Sequence, residues 1–362
     1  MRQRIQSVDF LRGLTIMTMI LVNTPGDWSY AYKILLHAPW HGLSLADFVF
    51  PFFIFIVGIS ISLVYKSKVA EGATYKKILI RSFKIIALGL IINAFTPYIP
   101  FFNFGGLRLP GVLQRIGLVF CIVSIAYLNC TRIQLISLAA TILLGYWLWM
   151  VYVPLPDGSL PTLNRAPNNW VNYLDQTLLK GHLWKPDYDP EGILSTLPSL
   201  VSALLGVFIG EILVSKNNRK FFLLSGIGSV LLLVGYIWSI VFPINKALWT
   251  SSFVLVTAGY STLLLAIFYH FMDQEKRDFG AIVKYVGANA IFIYFTSSLI
   301  TKAFYLIKVK NEVSVHSWLF ENLFMYSFID RTLASLFYAL VVVSFYTLLA
   351  FFFFRKKLFF KV

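Results

Sequence analysis

The residues in this sequence best suited to chemistry lie in one short stretch, His37-Ala-Pro-Trp-His-Gly-Leu-Ser-Leu-Ala-Asp47. A histidine with a nearby carboxylate can act as a general base, because the carboxylate fixes the imidazole tautomer and stabilises its cation. Trp40 and His41 stand between them as candidate substrate contacts. Other polar groups sit where apolar runs begin or end. Asn23 closes one run, Gln114 and Arg115 open another in PGVLQRIGL, Glu191 precedes a third in DYDPEGILSTLPS, and Thr250 and Ser251 open a fourth. Asparagine, glutamine and arginine supply donors for a developing oxyanion, so the set suits acyl transfer to an amine or a hydroxyl. Each residue also has a plainer role open to it. His37 can be a hydrogen-bonded loop histidine, and Asp47 can be the third-position partner of Ser44 in a helix capping box. Arg115 can be structural glue, paired with Asp47 or Glu191. Asp9 and Arg12, three residues apart, can be an intrahelical pair. No cluster has metal-ligand spacing: Pro39 between His37 and His41 argues against a helical i,i+4 pair. Nucleophile-elbow and Walker motifs are absent from the sequence.

The elements that must position these groups follow from composition. The chain has 362 residues, 58% apolar, 17% aromatic and only 13% charged. Soluble domains carry roughly 45–50% apolar and about 25% charged residues. A soluble enzyme, a disordered chain and a nucleic-acid binder are thereby excluded, the last despite a net charge of +15. Runs of about 20 apolar residues mark bilayer-crossing helices. They predict an all-α, polytopic membrane helix bundle forming a single domain over 1–362. The ten spans fall at about 9–23, 45–65, 78–95, 112–129, 133–153, 192–213, 221–241, 247–270, 281–300 and 331–354. Residues 313–328 are interrupted by Glu321 and Asn322 and read as a re-entrant or interfacial helix, with an eleventh span as the alternative. The long loop 152–193 holds prolines 154, 156, 161, 167, 186 and 190, which are expected to prevent helix or sheet across it. Cys121 and Cys130 lie roughly 13 Å apart along one helix, too far for a disulfide, and read as buried thiols. Asn23-Thr-Pro-Gly after the first apolar run is no cleavage site, so that run is expected to stay.

Orientation follows from Lys and Arg placement. With the N-terminus inside, the inner face receives Arg2, Arg4, Arg12, the basic cluster from Lys66 to Lys84, Arg132, Lys216 to Lys220, Lys276 to Lys284 and the tail Arg355 to Lys361. Both termini are then cytoplasmic. Asn23, His37, Asp47, Gln114, Arg115, Glu191 and Thr250 all fall at the outer face, and the long loop is external. A secondary transporter would place its polar groups near the midplane of paired repeats; here they gather at one face and no repeat is evident. A non-catalytic scaffold would need none of His37, Asp47 and Arg115.

Ser7-Val-Asp-Phe-Leu-Arg-Gly, Val22-Asn23 and the whole stretch from His37 to Phe53 resemble the heparan-α-glucosaminide N-acetyltransferase family, in particular its bacterial inner-membrane members. Pro110-Gly-Val-Leu-Gln-Arg115, Asp189-Pro-Glu-Gly192 and Gly287-Ala-Asn-Ala290 also look like family motifs. The resemblance covers essentially the whole transmembrane chain. It implies acetyl-CoA as donor from the cytoplasmic side and the amine of a glucosamine-type sugar as acceptor on the far side. It also implies a bacterial cytoplasmic membrane location, with lipid and CoA as partners, no nucleic acid, and room for a homodimer. His37 holds the position of the catalytic histidine, with Asn23 and Asp47 at active-site positions beside it. The lysosomal members have asparagine where this chain has His41. On this footing Glu191, among the outer acids, is the expected acceptor-binding carboxylate, with Trp40 and His41 nearby. Arg115 or Gln114, with Asn23, would stabilise the oxyanion. Arg12, Asp9, Lys76 and Lys77 would hold the CoA nucleotide. His37 acts either as base in direct transfer or as a nucleophile through an acetylated intermediate. A membrane sugar O-acyltransferase would share this architecture and donor.

Overall fold

The structure, a computed structural model, describes residues 5–95, 104–310 and 312–360. Arg2, Arg4 and Lys361, which the orientation argument uses, lie outside these. In chain order the helices are α1 (Gln6–Asn23), α2 (Leu45–Tyr65), α3 (Gly72–Phe95), α4 (Val112–Asn129), α5 (Arg132–Tyr152), α6 (Trp170–Leu179) and α7 (Ile193–Leu213). Then follow α8 (Lys220–Trp238), α9 (Ser251–Phe268, continued by a π-helical turn Tyr269–Gln274), α10 (Ala281–Ala288), α11 (Ala290–Leu306), α12 (Val315–Leu323) and α13 (Arg331–Arg355). A short antiparallel pair, β1 (Lys308–Lys310) and β2 (Val313–Ser314), links α11 to α12.

Among the described residues eight helices are long and apolar enough to cross a membrane, and the α10–α11 pair makes a ninth if counted as one broken span. The protein is therefore a multi-pass membrane helix bundle. Two expectations need correction. The span expected over 281–300 is broken, bent by 81° between Ala288 and Ala290. The first expected span forms as α1 but is not among the eight, since Gln6, Asp9 and Arg12 dilute its apolar character. The segment around Glu321 is α12, nine residues long and too short to span a bilayer.

Close packing of α2 on α7 fixes the centre. A Cβ on Gly58 would lie 1.9 Å from the Ala203 carbonyl oxygen, and one on Gly206 would lie 2.0 Å from that of Phe55. Lipid is as apolar as leucine, so helices associate in a bilayer through such small-residue contacts. Side chains from α2, α7 and α9 (Ile54, Phe55, Val201, Ala203, Phe253 and Val254) are almost wholly buried.

The proline-rich loop 152–193 is not free of helix, as its prolines had suggested. Helix α6 forms between Pro167 and Pro186, and the Asn169 side chain caps it by accepting from the Val171 N–H at 3.0 Å. Ten residues fit between the breakers without meeting one. The cysteines also differ from expectation: Cys121 is half-buried, and Cys130, just past the end of α4, is exposed.

At the break between α10 and α11, Asn289 is buried and holds the C-terminal segment. Its Nδ2 donates to the Leu358 carbonyl at 3.0 Å, and its Oδ1 accepts from the Phe360 N–H at 3.1 Å. Phe360 stacks on Phe292 with ring centroids 3.9 Å apart.

Candidate active site

The start of α2 builds the core of the site. Ser44 and Asp47 form a capping box, so Asp47 Oδ2 accepts from the Ser44 N–H at 3.0 Å and from the Ser44 hydroxyl at 2.9 Å. The same oxygen accepts from the Ala38 N–H at 3.1 Å. Asp47 Oδ1 lies 2.7 Å from His37 Nδ1. Capping and orienting are thus performed by one carboxylate, each through a different oxygen. The Asp47 side chain is 1% exposed and that of His37 48% exposed, so a buried anion holds an accessible imidazole.

A lysine that sequence reasoning missed completes this cluster. Lys246 Nζ lies 3.2 Å from both ring nitrogens of His37 and 3.9 Å from Asp47 Oδ1. It comes from the turn between α8 and α9, which is fastened by internal bonds. The Leu248 N–H donates to Asn245 Oδ1 at 2.9 Å, Thr250 Oγ1 donates to the Pro243 carbonyl at 2.9 Å, and Ser252 Oγ donates to that of Phe242 at 2.5 Å. Trp249 in this turn takes a left-handed φ of 52°, strain of the kind stored at functional sites. Burial pushes the Lys246 ammonium below its ordinary pKa, partly offset by Glu191 and Asp47 and reinforced by Arg115. His41 joins the same turn, accepting at Nδ1 from Asn245 Nδ2 at 3.3 Å.

Arg115 lies at the start of α4, fully sequestered between elements. It bonds neither Asp47 nor Glu191, the partners that a structural role would have given it. Its Nη2 donates to the Gly192 carbonyl at 3.0 Å and to Ser195 Oγ at 2.5 Å, and its guanidinium lies 5.1 Å from the Trp249 ring centre. Its Nε and Nη1 have no partner among the described residues, and neither does the neighbouring Gln114 Nε2. Buried donors left this way mark a place where a ligand or water completes the bonding.

Glu191, the expected acceptor-binding carboxylate, has a partner that the sequence did not reveal. It is 8% exposed and paired with Arg108, whose Nη2 lies 2.5 Å from Glu191 Oε2. Arg108 also forks onto Asp189, Nε to Oδ2 at 2.8 Å and Nη2 to Oδ1 at 2.7 Å. Asp189 and Glu191 hold the Arg108 proton more tightly than usual, outweighing the burial that opposes it. Below them Asp175 of α6 accepts from the N–H groups of Ile193 and Asp189, yet burial pushes its pKa up to about 6.

The remaining expected residues are spread around this centre. Trp40 packs edge-on against Tyr188 and donates from Nε1 to the Leu163 carbonyl at 2.8 Å, tying the His37 loop to the long loop. Asn23 is exposed, and among the described residues no hydrogen bond joins it to His37 or Asp47. Asp9 and Arg12 pair at 3.1 Å, and Arg12 Nη2 also donates to Ser60 Oγ at 2.9 Å, linking α1 to α2.

Arg12 further lines a cavity of about 730 Å³ between α1, α2, α3, α4 and the α10–α11 break. Lys77, Arg81 and Lys84 line it too, Phe360 forms part of its wall, and among the described residues no carboxylate does. Lys76 is exposed and does not line it, and neither does Asp9, which pairs with the lining Arg12. Arg81 Nε is buried without a partner among the described residues. Four cations, an orphaned guanidinium donor and this volume fit an anionic, ligand-sized group. The deepest lining residue on α2, Phe53, is six residues from Asp47, about 9 Å along the helix axis. On α4, lining Ile116 is adjacent to Arg115.

Comparison with known proteins agrees with these motifs. A family model described as heparan-alpha-glucosaminide N-acetyltransferase, catalytic, matches residues 4–238, which include His37, Asp47, Arg115 and Glu191. The chain is 28% identical to the heparan-alpha-glucosaminide N-acetyltransferases of Homo sapiens and Mus musculus, over 99% of its own length. It spans 60% of the length of each of these relatives. With that match spanning well over half of the sequence, the chain belongs to the heparan-α-glucosaminide N-acetyltransferase catalytic family.

Proposed function

We propose that the protein is a transmembrane acetyltransferase of the bacterial cytoplasmic membrane. It moves an acetyl group from cytoplasmic acetyl-CoA to the amine of a glucosamine-type sugar at the opposite face, with both termini on the CoA side. The observation that carries this is the arrangement along α2. A half-exposed histidine held by a buried carboxylate stands at one end, and a cavity whose charged lining residues, among those described, are all cations opens toward the other. Arg12, Lys77, Arg81 and Lys84 would hold the phosphates of CoA, and the span of about 9 Å from Phe53 to Asp47 is within reach of its extended thiol arm.

The chemistry of the chain's own groups follows. Asp47 keeps the His37 proton on Nδ1, leaving the Nε2 lone pair free. His37 Nε2 takes a proton from the sugar ammonium's conjugate amine as its nitrogen bonds to the acetyl carbon and the carbon–sulfur bond breaks. The imidazolium then returns that proton to the departing thiolate, so the site ends as it began. Arg115 donors stabilise the oxygen that becomes negative. The route through an acetylated His37 uses the same groups in two steps.

The test uses the purified protein with labelled acetyl-CoA and glucosamine, beside His37→Ala. Label should appear on the sugar nitrogen with wild type only. Full transfer by His37→Ala would sink the assignment, and label on a hydroxyl would make the protein an O-acyltransferase. Labelled protein formed without acceptor, and lost in His37→Ala, would select the two-step route. A reporter fused after residue 180 should be external.

A further inference from the structure

Two equal distances locate the Lys246 ammonium unusually well. Nζ is 3.2 Å from Nδ1 and 3.2 Å from Nε2 of His37. Held in the ring plane at those distances, it would collide with the C–H between the nitrogens. It therefore lies over the face of the imidazole, and the in-plane lone pair of Nε2 stays open to a substrate. An acyl carbon approaching Nε2 carries its oxygen one bond further, on whichever side of the ring the carbonyl is turned. Turned toward Lys246, that oxygen falls within reach of an N–H donor.

The surroundings of Lys246 favour this use over a purely structural one. The side chain is 17% exposed, and its nearest carboxylate, Asp47 at 3.9 Å, is already saturated by His37, Ala38 and Ser44. Glu191 is engaged by Arg108, and Arg115 adds a like charge. Covering an ammonium without a dedicated partner is expensive. The strained, internally bonded turn that carries it keeps it there nevertheless.

We propose that Lys246 is a catalytic residue of the acetyl transfer, donating from Nζ to the acetyl oxygen as the tetrahedral centre forms over His37. This rests on the acetyltransferase reading above. No proton leaves the lysine: the electron pair of the carbonyl moves onto oxygen as the new bond to carbon forms, the ammonium stabilises that charge, and the pair returns as the carbon–sulfur bond breaks. The residue lies beyond position 238, outside the matched part of the family model.

The experiment compares wild type, Lys246→Met and Lys246→Arg as purified proteins, measuring acetyl-CoA affinity by calorimetry and the kinetics of acetyl transfer to glucosamine. Loss of one oxyanion donor costs about 10²–10³ in kcat. Lys246→Met should lose that much kcat with acetyl-CoA affinity and acceptor KM each within about threefold of wild type. Lys246→Arg, which keeps a cationic donor, should recover at least a tenth of the wild-type kcat. A merely structural lysine would weaken binding or lower the thermal midpoint together with kcat, and that pattern would overturn the proposal. So would a Lys246→Met protein with near wild-type kcat. Inactive wild type would instead refute the underlying function, so the two failures remain distinct.

Discussion

Asp47→Asn isolates one atom's role in the site. Asp47 Oδ2 accepts three donors, the N–H groups of Ala38 and Ser44 and the Ser44 hydroxyl, whereas Oδ1 is hydrogen-bonded to His37 Nδ1, with Lys246 Nζ further off at 3.9 Å. An asparagine must therefore place its amide oxygen at the Oδ2 position and its NH₂ against His37. An NH₂ can only donate, so Nδ1 must accept and the ring proton moves to Nε2. The nitrogen required as base or nucleophile is then occupied. A wrong-tautomer histidine of this kind costs about 10⁴ in kcat. We expect a loss of about 10³–10⁴, equivalent to about 4–5.5 kcal/mol of transition-state stabilisation. The capping bonds survive, so the thermal stability in detergent should fall by no more than about 2 kcal/mol. Single-turnover transfer from labelled acetyl-CoA, with thermal unfolding measured on the same preparation, separates the two effects. Retention of more than a tenth of wild-type activity would refute the tautomer argument. An unfolded variant would show that the carboxylate is needed chiefly as a cap.

Arg108→Met should destabilise the fold by about 3–5 kcal/mol, because it leaves Asp189 and Glu191 buried without a counter-charge. Adding Glu191→Gln should restore part of the thermal midpoint, and no change in either variant would mean that the pairs are absent in solution. Asp175 gives a pH signature opposite to most carboxylates. Its folded pKa of about 6 lies above the unfolded value, so its contribution is complete at low pH and is lost as pH rises through 6. Thermal midpoints between about pH 4 and 7 should show Asp175→Asn removing a stability loss of order 2–3 kcal/mol. Gly206→Ala should cost at least about 2 kcal/mol, since its Cβ would lie 2.0 Å from the Phe55 carbonyl oxygen. A variant with wild-type unfolding would show that α2 and α7 can separate freely.

What could be read from the sequence was what lies close along the chain. His37, Ser44 and Asp47 fall within one loop and one helix start, so both the capping box and the histidine–carboxylate pair were visible as spacing. The apolar runs located the helices, because lipid demands continuous apolar stretches. Partners far apart in sequence were not visible. Lys246 is 209 residues from His37, and only the packing of α8 and α9 brings it there. A lone cation in the turn Pro-Ile-Asn-Lys-Ala-Leu-Trp was its only signal. Arg108 is 83 residues from Glu191, so their pairing was not visible, and Asp47 or Glu191 stood as the partners open to Arg115. The break at Asn289 carries no proline, and its cause, the bonding of that side chain to the C-terminal segment, is tertiary.

The nearness of the cation-lined cavity to His37 has a consequence for the cell. In the orientation proposed above, a chamber open to one side of the membrane and reaching to within about 9 Å, along α2, of the carboxylate that holds His37 is most of the way to being a pore. The layer between them holds Phe50, Trp249 and the guanidinium of Arg115, with the two rings 5.1 Å apart. Across it acts a potential worth about 2.3 kcal/mol per charge for each 100 mV. A fixed positive charge in a constriction repels protons and cations, so Arg115 would guard the proton gradient as well as serve the reaction. Proteoliposomes containing the protein should therefore hold a pH gradient as long as empty ones, and rapid collapse would place the seal elsewhere. A seal that has to stay closed while an acyl group crosses it favours a small group, and acetyl is among the smallest.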